Sequence, residues 1–183
     1  MVSEIKEIST PKTLAEFEQW QPTDGYKYEW NDGELIKFEG MKRKHLKLVR
    51  VLSELFDMTK AKKQRGQLIC EQDVQLTGIQ LRRPDLAFFS GEQIDESDEN
   101  EEPIPEFAIE VISSHDQINE VKKKIIEYFK NGVKVTWLIY PEYQMVEVYT
   151  SPKNVVICTD SDVCSANPVL DDFEIKVDDL FSQ

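Results

Sequence analysis

Two short apolar segments of this chain each carry an acidic residue in their interior. Asp85 lies in the segment 84–89 (Pro-Asp-Leu-Ala-Phe-Phe), and Glu110 lies in the segment 105–112 (Pro-Glu-Phe-Ala-Ile-Glu-Val-Ile). Both segments are rich in residues that favour β-structure, so they predict buried strands. A carboxylate in a buried strand is costly unless its charge is compensated. Each acid alone could cap a strand or pair with a lysine, but the pair favours a site for a divalent cation.

Length and composition indicate a single domain. The chain has 183 residues, of which 40% are apolar and 31% charged, and we expect residues 1–183 to share one core. No apolar run approaches the roughly 20 residues that span a bilayer, and residues 1–7 show no secretory signal. Cys70, Cys158 and Cys164 are scattered and odd in number, which indicates neither a disulfide framework nor a zinc site. We therefore expect a cytoplasmic protein without a membrane contact.

Charge is distributed unevenly along the chain. The formal net charge is −13, yet ten basic residues and only three acids lie between positions 37 and 65. Eleven acids and no lysine or arginine lie between positions 91 and 120. The total charge argues against non-specific binding to nucleic acid. The basic stretch can be a solvated surface or a contact for phosphates.

The pattern of apolar and turn residues predicts a mixed α/β chain. A hairpin is expected at 26–38, with its turn at 31–33, and an acidic loop at 91–102. Helices are expected within 9–20, at about 45–59, and from the capping residues 113–116 to about 130. Strands are expected at about 68–76, 81–89, 105–112, 133–140, 143–149, 155–158 and 173–177.

Several of these segments match a known family in order and spacing. They are Pro84-Asp85, Glu110-Val111-Ile112-Ser113, the stretch 124–133 and the stretch 135–141, together with 28–35, His45 and 168–181. In this order they resemble the Uma-type family of putative restriction endonucleases, a branch of the PD-(D/E)XK nuclease superfamily. The resemblance implies an α/β restriction-endonuclease-like core: a mixed β-sheet of about five strands, flanked by helices, with added β-strands at both ends.

The resemblance also implies a metal-dependent endonuclease that hydrolyses DNA. Such chemistry needs an activated water and neutralised phosphate charge, which Mg²⁺ supplies, with Mn²⁺ as a substitute. Asp85 and Glu110 would be the metal ligands, and the backbone carbonyl of Val111 a third. Glu34 could be a further acid of the metal site or an ordinary carboxylate on a surface hairpin.

The lysine of the superfamily motif is displaced. Ile112 stands two residues after Glu110, where that lysine is expected. In the resembling family the lysine lies on the following helix, at the position of Lys124, one helical turn before Tyr128. A helical wheel places Lys122 within the apolar stripe and Lys124 at its flank beside Tyr128, so both are candidates, with Lys122 second to the family match. The alternative is that the lysines of this helix are only solvated.

The basic residues next to these segments are candidates for contact with DNA. They are Lys42, Arg43, Lys44, His45, Arg82 and Arg83. Nucleases of this superfamily often pair subunits, so by analogy we expect a homodimer. The competing hypothesis is a catalytically inactive nuclease-fold module that binds or regulates, which the acidic total charge and the displaced lysine favour. A third hypothesis is a nuclease that receives its substrate from a partner protein.

Overall fold

The computed structural model describes residues 10–38, 40, 45–97, 103–114 and 116–182. The described elements, in chain order, are α1 (Leu14–Glu18), β1 (Lys27–Asn31), β2 (Glu34–Phe38), α2 (Leu46–Asp57), α3 (Lys60–Lys63), β3 (Gln67–Cys70), β4 (Val74–Thr77), β5 (Gln80–Arg82), β6 (Leu86–Phe89), α4 (Gly91–Glu96), β7 (Phe107–Val111), α5 (Ile118–Lys130), β8 (Val135–Tyr140), β9 (Met145–Ser151), β10 (Asn154–Thr159), β11 (Val163–Ala166), β12 (Leu170–Lys176) and α6 (Val177–Phe181).

The largest sheet has six strands, in the order β10-β9-β8-β7-β6-β3. Its neighbouring strands are antiparallel except for β7 and β8, which are parallel. Parallel neighbours need a long crossover connection, and α5 supplies it. The predicted fold class, a mixed sheet flanked by helices with added strands, is therefore confirmed, with six strands in the main sheet.

The two faces of this sheet pack against different helices. On one face, Phe107 and Ile109 of β7 join a large apolar cluster with Leu52 and Phe56 of α2. Because side chains alternate along a strand, the residues between them point the other way, toward α5. On that face Ala108 packs in a smaller cluster with Tyr128 of α5. The face that bears α5 is the one that carries Glu110.

A second sheet has four strands, in the order β2-β1-β5-β4. The predicted hairpin forms β1 and β2, and its turn is made by Asp32 and Gly33, whose φ angles are 50° and 88°. Such left-handed turn residues suit the right-handed twist of a two-residue hairpin. Trp30 on β1 is buried against Phe17 and Leu81, which fixes the hairpin beside α1 and leaves its other face toward the main sheet.

The two longest predicted strands are each divided in the structure. The segment 68–76 becomes β3 and β4, which belong to different sheets, because Glu71 takes a left-handed φ of 50° that turns the chain. The segment 81–89 becomes β5 and β6, separated by residues 83–85. Pro84 has no N–H to donate to a strand ladder, so the ladder is interrupted there. The interruption places Asp85 directly before β6.

Further elements also differ from the sequence prediction, which did not include the short helices α3 and α6. The predicted loop at 91–102 begins with α4, because Ser90 and Gln93 form a reciprocal capping box over 3.1 and 3.0 Å; residues 98–102 lie outside the described part. An unpredicted strand, β11, pairs with β12 in a separate two-stranded sheet. Among the described residues, no helix is long and apolar enough to cross a membrane.

Candidate active site

Asp85 and Glu110 lie opposite each other on neighbouring strands. β6 and β7 pair antiparallel with Leu86 opposite Ile109, and continuing this register by one residue sets Asp85 opposite Glu110. Directly opposed residues share a face of the sheet, with Cβ atoms about 5 Å apart. The N–H of Val111 donates a hydrogen bond of 2.6 Å to Oδ2 of Asp85. The two carboxylates therefore face α5 together.

Both carboxylates line one cleft with a volume of about 520 Å³. Its walls are the α5 face of the main sheet, the first half of α5 and the β1–β2 hairpin. The charged side chains and the histidine among the described lining residues are Glu29, Lys37, His45, Arg82, Arg83, Asp85, Glu110, Asp116, Glu120 and Lys124. Acids and bases thus converge on one opening between the two sheets.

Lys124 lies between two carboxylates of this cleft. Its Nζ is 2.9 Å from Oε1 of Glu110 and 2.7 Å from Oε1 of Glu29. Its next contact, to the carbonyl oxygen of Arg83, is 3.5 Å long. One helical turn later, Tyr128 donates a hydrogen bond of 2.6 Å to Oε1 of Glu110. The spacing of four residues on α5 therefore aims both side chains at the same carboxylate.

Burial shifts the pKa values of these groups strongly. Loss of hydration raises the pKa of Asp85 to about 6 and that of Glu110 to about 7, although Lys124 offsets part of the effect. Burial by itself would lower the pKa of Lys124, but the charges of Glu110 and Glu29 outweigh it and raise that pKa above its usual range. Lys124 thus stays protonated in a cleft that also holds two acids with raised pKa values, Asp85 and Glu110, a combination typical of functional sites.

Arg82 belongs to a buried network and is not available to DNA in this structure. Its side chain is 1% exposed, with NH1 3.0 Å from Oε2 of Glu29 and Nε 2.9 Å from Oε2 of Glu127. A buried guanidinium that already pairs with two carboxylates cannot reach a phosphate without breaking those pairs. We therefore remove Arg82 from the set of DNA contacts and regard it as the support that holds Glu29 beside Lys124.

Two other candidates, one for the metal site and one for the catalytic lysine, lie outside the cleft. The ammonium of Lys122 contacts the hydroxyl of Tyr149 and lies 3.5 Å from Oε2 of Glu147, and both partners are on β9. Glu34 has a side chain that is 74% exposed, and its nearest described cation, Lys123, is 3.9 Å away. Neither residue lines the cleft that holds Asp85, so we drop both from the candidate active site.

The remaining candidates for DNA contact fall into two groups: some line the cleft, and the others lie outside the described residues. Arg83 and His45 line the cleft, but the guanidinium of Arg83 is paired with Asp73 over 2.6 and 2.7 Å. His45 directly precedes α2 and is 4% exposed. Lys42, Arg43 and Lys44 lie outside the described residues, so their predicted role remains a prediction.

Glu29 is the residue of this site that sequence reasoning missed. It is 3% exposed, and besides Lys124 and Arg82 it accepts a hydrogen bond of 2.8 Å from the N–H of Arg83. Burial would raise the pKa of Glu29, but Lys124 and Arg82 outweigh it and lower that pKa. The sequence contained a signal for this residue. Glu29 lies between Tyr28 and Trp30 in a strand, and because side chains alternate along a strand, the acid points to the opposite face from both aromatic residues.

The donor set suits a hard cation with few protein ligands. Among the described residues, no group of three or more His, Cys, Asp or Glu side chains is arranged to hold a metal ion. Magnesium, however, commonly takes only one or two carboxylates and keeps several waters. Asp85 and Glu110 on one face, with the backbone of Val111 beside them, fit that requirement.

Comparison with known proteins agrees with this architecture. A family model described as Uma2, putative restriction endonuclease, matches residues 14–178. No curated protein is significantly similar to the chain. The crystal structure of a putative nuclease belonging to DUF820 from Anabaena variabilis matches with a TM-score of 0.80 and 23% sequence identity, over 94% of this chain and 98% of that chain. At that identity the likeness establishes the fold.

Proposed function

This chain belongs to the Uma2 family of putative restriction endonucleases, and from that premise we propose that it is a nuclease that hydrolyses DNA phosphodiester bonds with a divalent metal ion. One observation carries the proposal: Asp85, Glu110 and Lys124 converge in a single cleft although they lie on three different elements. Two hard carboxylates and a fixed cation are the side chains that phosphodiester hydrolysis requires.

Asp85, Glu110 and the carbonyl of Val111 would hold the ion, for which Mg²⁺ is the best match and Mn²⁺ a substitute. When bound, such an ion supplies neutralisation of phosphate charge and an activated water. The chain prepares these ligands in advance. The N–H of Val111 orients Asp85 over 2.6 Å, and the hydroxyl of Tyr128 orients Glu110 over 2.6 Å.

Lys124 would stabilise negative charge on the phosphate. Its raised pKa keeps the ammonium protonated, so it acts as a hydrogen-bond donor and not as a general base. Two of its three N–H groups are directed at Glu29 and Glu110. The third has only the long contact of 3.5 Å to the carbonyl of Arg83, so it is the donor that can turn toward a phosphate oxygen.

The alternative function is an inactive nuclease-fold module that binds or regulates. A specific observation favours it: Lys124 and Glu110 already neutralise each other at 2.9 Å, and the whole chain carries a net charge of −13. A module of this kind would keep the cleft without turnover. Metal binding alone does not separate the two functions, because a carboxylate pair can bind an ion without catalysis.

The decisive experiment is cleavage of supercoiled plasmid and of circular single-stranded DNA by the wild type, by Asp85→Asn and by Glu110→Gln. We expect nicking with Mg²⁺ or Mn²⁺, none with EDTA, and none by either variant. Lys122→Met is the matched control, because Lys122 lies on the same helix but outside the cleft, and it should nick like the wild type. A wild type that cleaves neither plasmid nor circular single-stranded DNA, yet still binds Mn²⁺, would support the inactive module.

We also propose that the protein is one domain, cytoplasmic and homodimeric. The fold supports the first part, since the two sheets share a cleft. The three cysteines are free thiols, as expected in a reducing compartment. The homodimer rests on analogy with other nucleases. Light scattering coupled to gel filtration measures it, and a monomer at micromolar concentration would contradict it.

A further inference from the structure

The wall of the cleft opposite the carboxylates is apolar and aromatic. Ile36 and Phe38 of β2 line the cleft and are only half-buried there. In the hairpin register, Glu29 pairs with Ile36 and Lys27 pairs with Phe38, so both apolar side chains share the strand face of the acid that holds Lys124. An apolar surface left open inside a cleft of charged residues indicates a ligand that has apolar faces of its own.

Tyr26 is a second aromatic residue of the cleft. It lines the opening and is 41% exposed. The ammonium of Lys37 lies 3.7 Å from the centre of its ring, and this ammonium is itself held by Asp24 at 2.8 Å. The cation–π contact holds the ring in place, and because the ammonium covers one face of the ring, only the other face can accept a base. Tyr26 and Phe38 thus offer two aromatic surfaces within one cleft.

The cations of the cleft are all engaged by acids. Among the described residues that line it, the lysines and arginines are four, and each has a carboxylate partner within 3.0 Å. They are Lys37 with Asp24, Arg82 with Glu29 and Glu127, Arg83 with Asp73, and Lys124 with Glu29 and Glu110. Affinity for a DNA duplex comes mainly from cations that are free to neutralise phosphates. These four side chains do not provide such a surface.

We propose that this cleft takes an unpaired DNA strand, with a base stacked on Tyr26 or Phe38 and the adjacent phosphate beside Asp85 and Glu110. This inference rests on the proposed nuclease function, since it names the substrate class of the same site. Proteins that bind single strands combine cations along the backbone with aromatic rings on which the bases stack. In a duplex the faces of the bases are covered by their neighbours, so that contact is lost.

The size of the cleft supports the same substrate class. A volume of about 520 Å³ lies within the range of about 300–1,000 Å³ that is typical of pockets for small molecules. Such a space encloses a nucleotide, whereas a duplex would have to lie across the opening. A DNA strand without a paired complement can enter the cleft and bring its backbone to the carboxylates, because no second strand holds it at the opening.

The experiment compares one fluorescein-labelled oligonucleotide as a single strand and as a duplex. Fluorescence anisotropy is measured with full-length Glu110→Gln protein, which prevents cleavage during the titration. We expect the single strand to bind at least about tenfold more tightly than the duplex. Tyr26→Ala and Phe38→Leu should each weaken single-strand binding by about fivefold or more, and Tyr26→Phe should restore it. The matched control is Tyr143→Ala, which removes an aromatic side chain that is 74% exposed elsewhere on the surface.

Each outcome of the titration supports or overturns the inference. Duplex binding that equals or exceeds single-strand binding overturns it, and so does unchanged single-strand binding by both Tyr26→Ala and Phe38→Leu. Absence of binding to either DNA also overturns it. Single-strand binding that depends on Tyr26 and Phe38 supports the inference. If the wild type then cleaves neither circular single strands nor plasmid, the proposed nuclease activity is refuted while the inference on binding stands.

Discussion

Asp85 should destabilise the metal-free protein at neutral and alkaline pH, so replacing it with asparagine should stabilise that form. The structure raises the pKa of Asp85 from 3.8 to about 6. The folded protein therefore holds a proton that the unfolded chain releases, and stability falls as pH rises from about 3.8 to about 6. Above that window the cost is fully present. The asparagine side chain of the variant has no charge to bury and can still accept the hydrogen bond of Val111.

The magnitude follows from the shift of the pKa. A change from 3.8 to about 6 corresponds to a cost of about 3 kcal/mol at pH 8 and about 1.6 kcal/mol at pH 5. The extra amide N–H₂ of asparagine costs roughly 1 kcal/mol at either pH if it finds no partner. The comparison between the two pH values cancels this contribution. The advantage of Asp85→Asn over the wild type should thus be about 1.4 kcal/mol larger at pH 8 than at pH 5.

The assay is urea unfolding in EDTA, followed by the fluorescence of the three tryptophans, for wild type and Asp85→Asn at both pH values. A second series with Mg²⁺ at pH 8 should stabilise the wild type and not the variant, because only the wild type keeps the carboxylate ligand. A difference between wild type and variant that is the same at pH 5 and pH 8 would refute the assignment of the raised pKa to Asp85.

Three further predictions concern the charged network. Lys124→Met should reduce cleavage at least about 100-fold while Mg²⁺ still stabilises the protein, whereas Lys122→Met should stay within about threefold of the wild type in the same nicking assay. Glu29→Gln should lower the cleavage rate about tenfold, because Lys124 loses one of its two carboxylate partners. The affinity for Mn²⁺, measured by calorimetry, should stay nearly unchanged. Loss of Mn²⁺ binding would show instead that Glu29 is a metal ligand. Arg82→Met should lower the free energy of unfolding by about 3–5 kcal/mol, because Glu29 and Glu127 lose a buried partner. If the variant is instead as stable as the wild type and binds DNA more weakly, Arg82 is a DNA contact after all.

The sequence by itself determined the parts of the fold that have a local cause. Apolar periodicity predicted the strands around Asp85 and Glu110 and the two long helices, and the turn residues Asp32 and Gly33 located the hairpin. The order of these segments identified the family, and the comparison with family models confirms it. These features are readable because period, turn chemistry and motif order are properties of neighbouring residues.

Only the tertiary structure decided which charged residues meet. Lys122 and Lys124 are both candidates on a helical wheel, but in the packed structure Lys122 contacts Tyr149 and Lys124 contacts Glu110. Glu29 is far from Glu110 in the chain, and no local pattern shows that Lys124 will lie between them. Arg82 likewise reads as a surface cation until its two buried acids are seen. The energy of a charge depends on its burial and on partners that are distant in sequence, and these are set by how the sheets and helices pack.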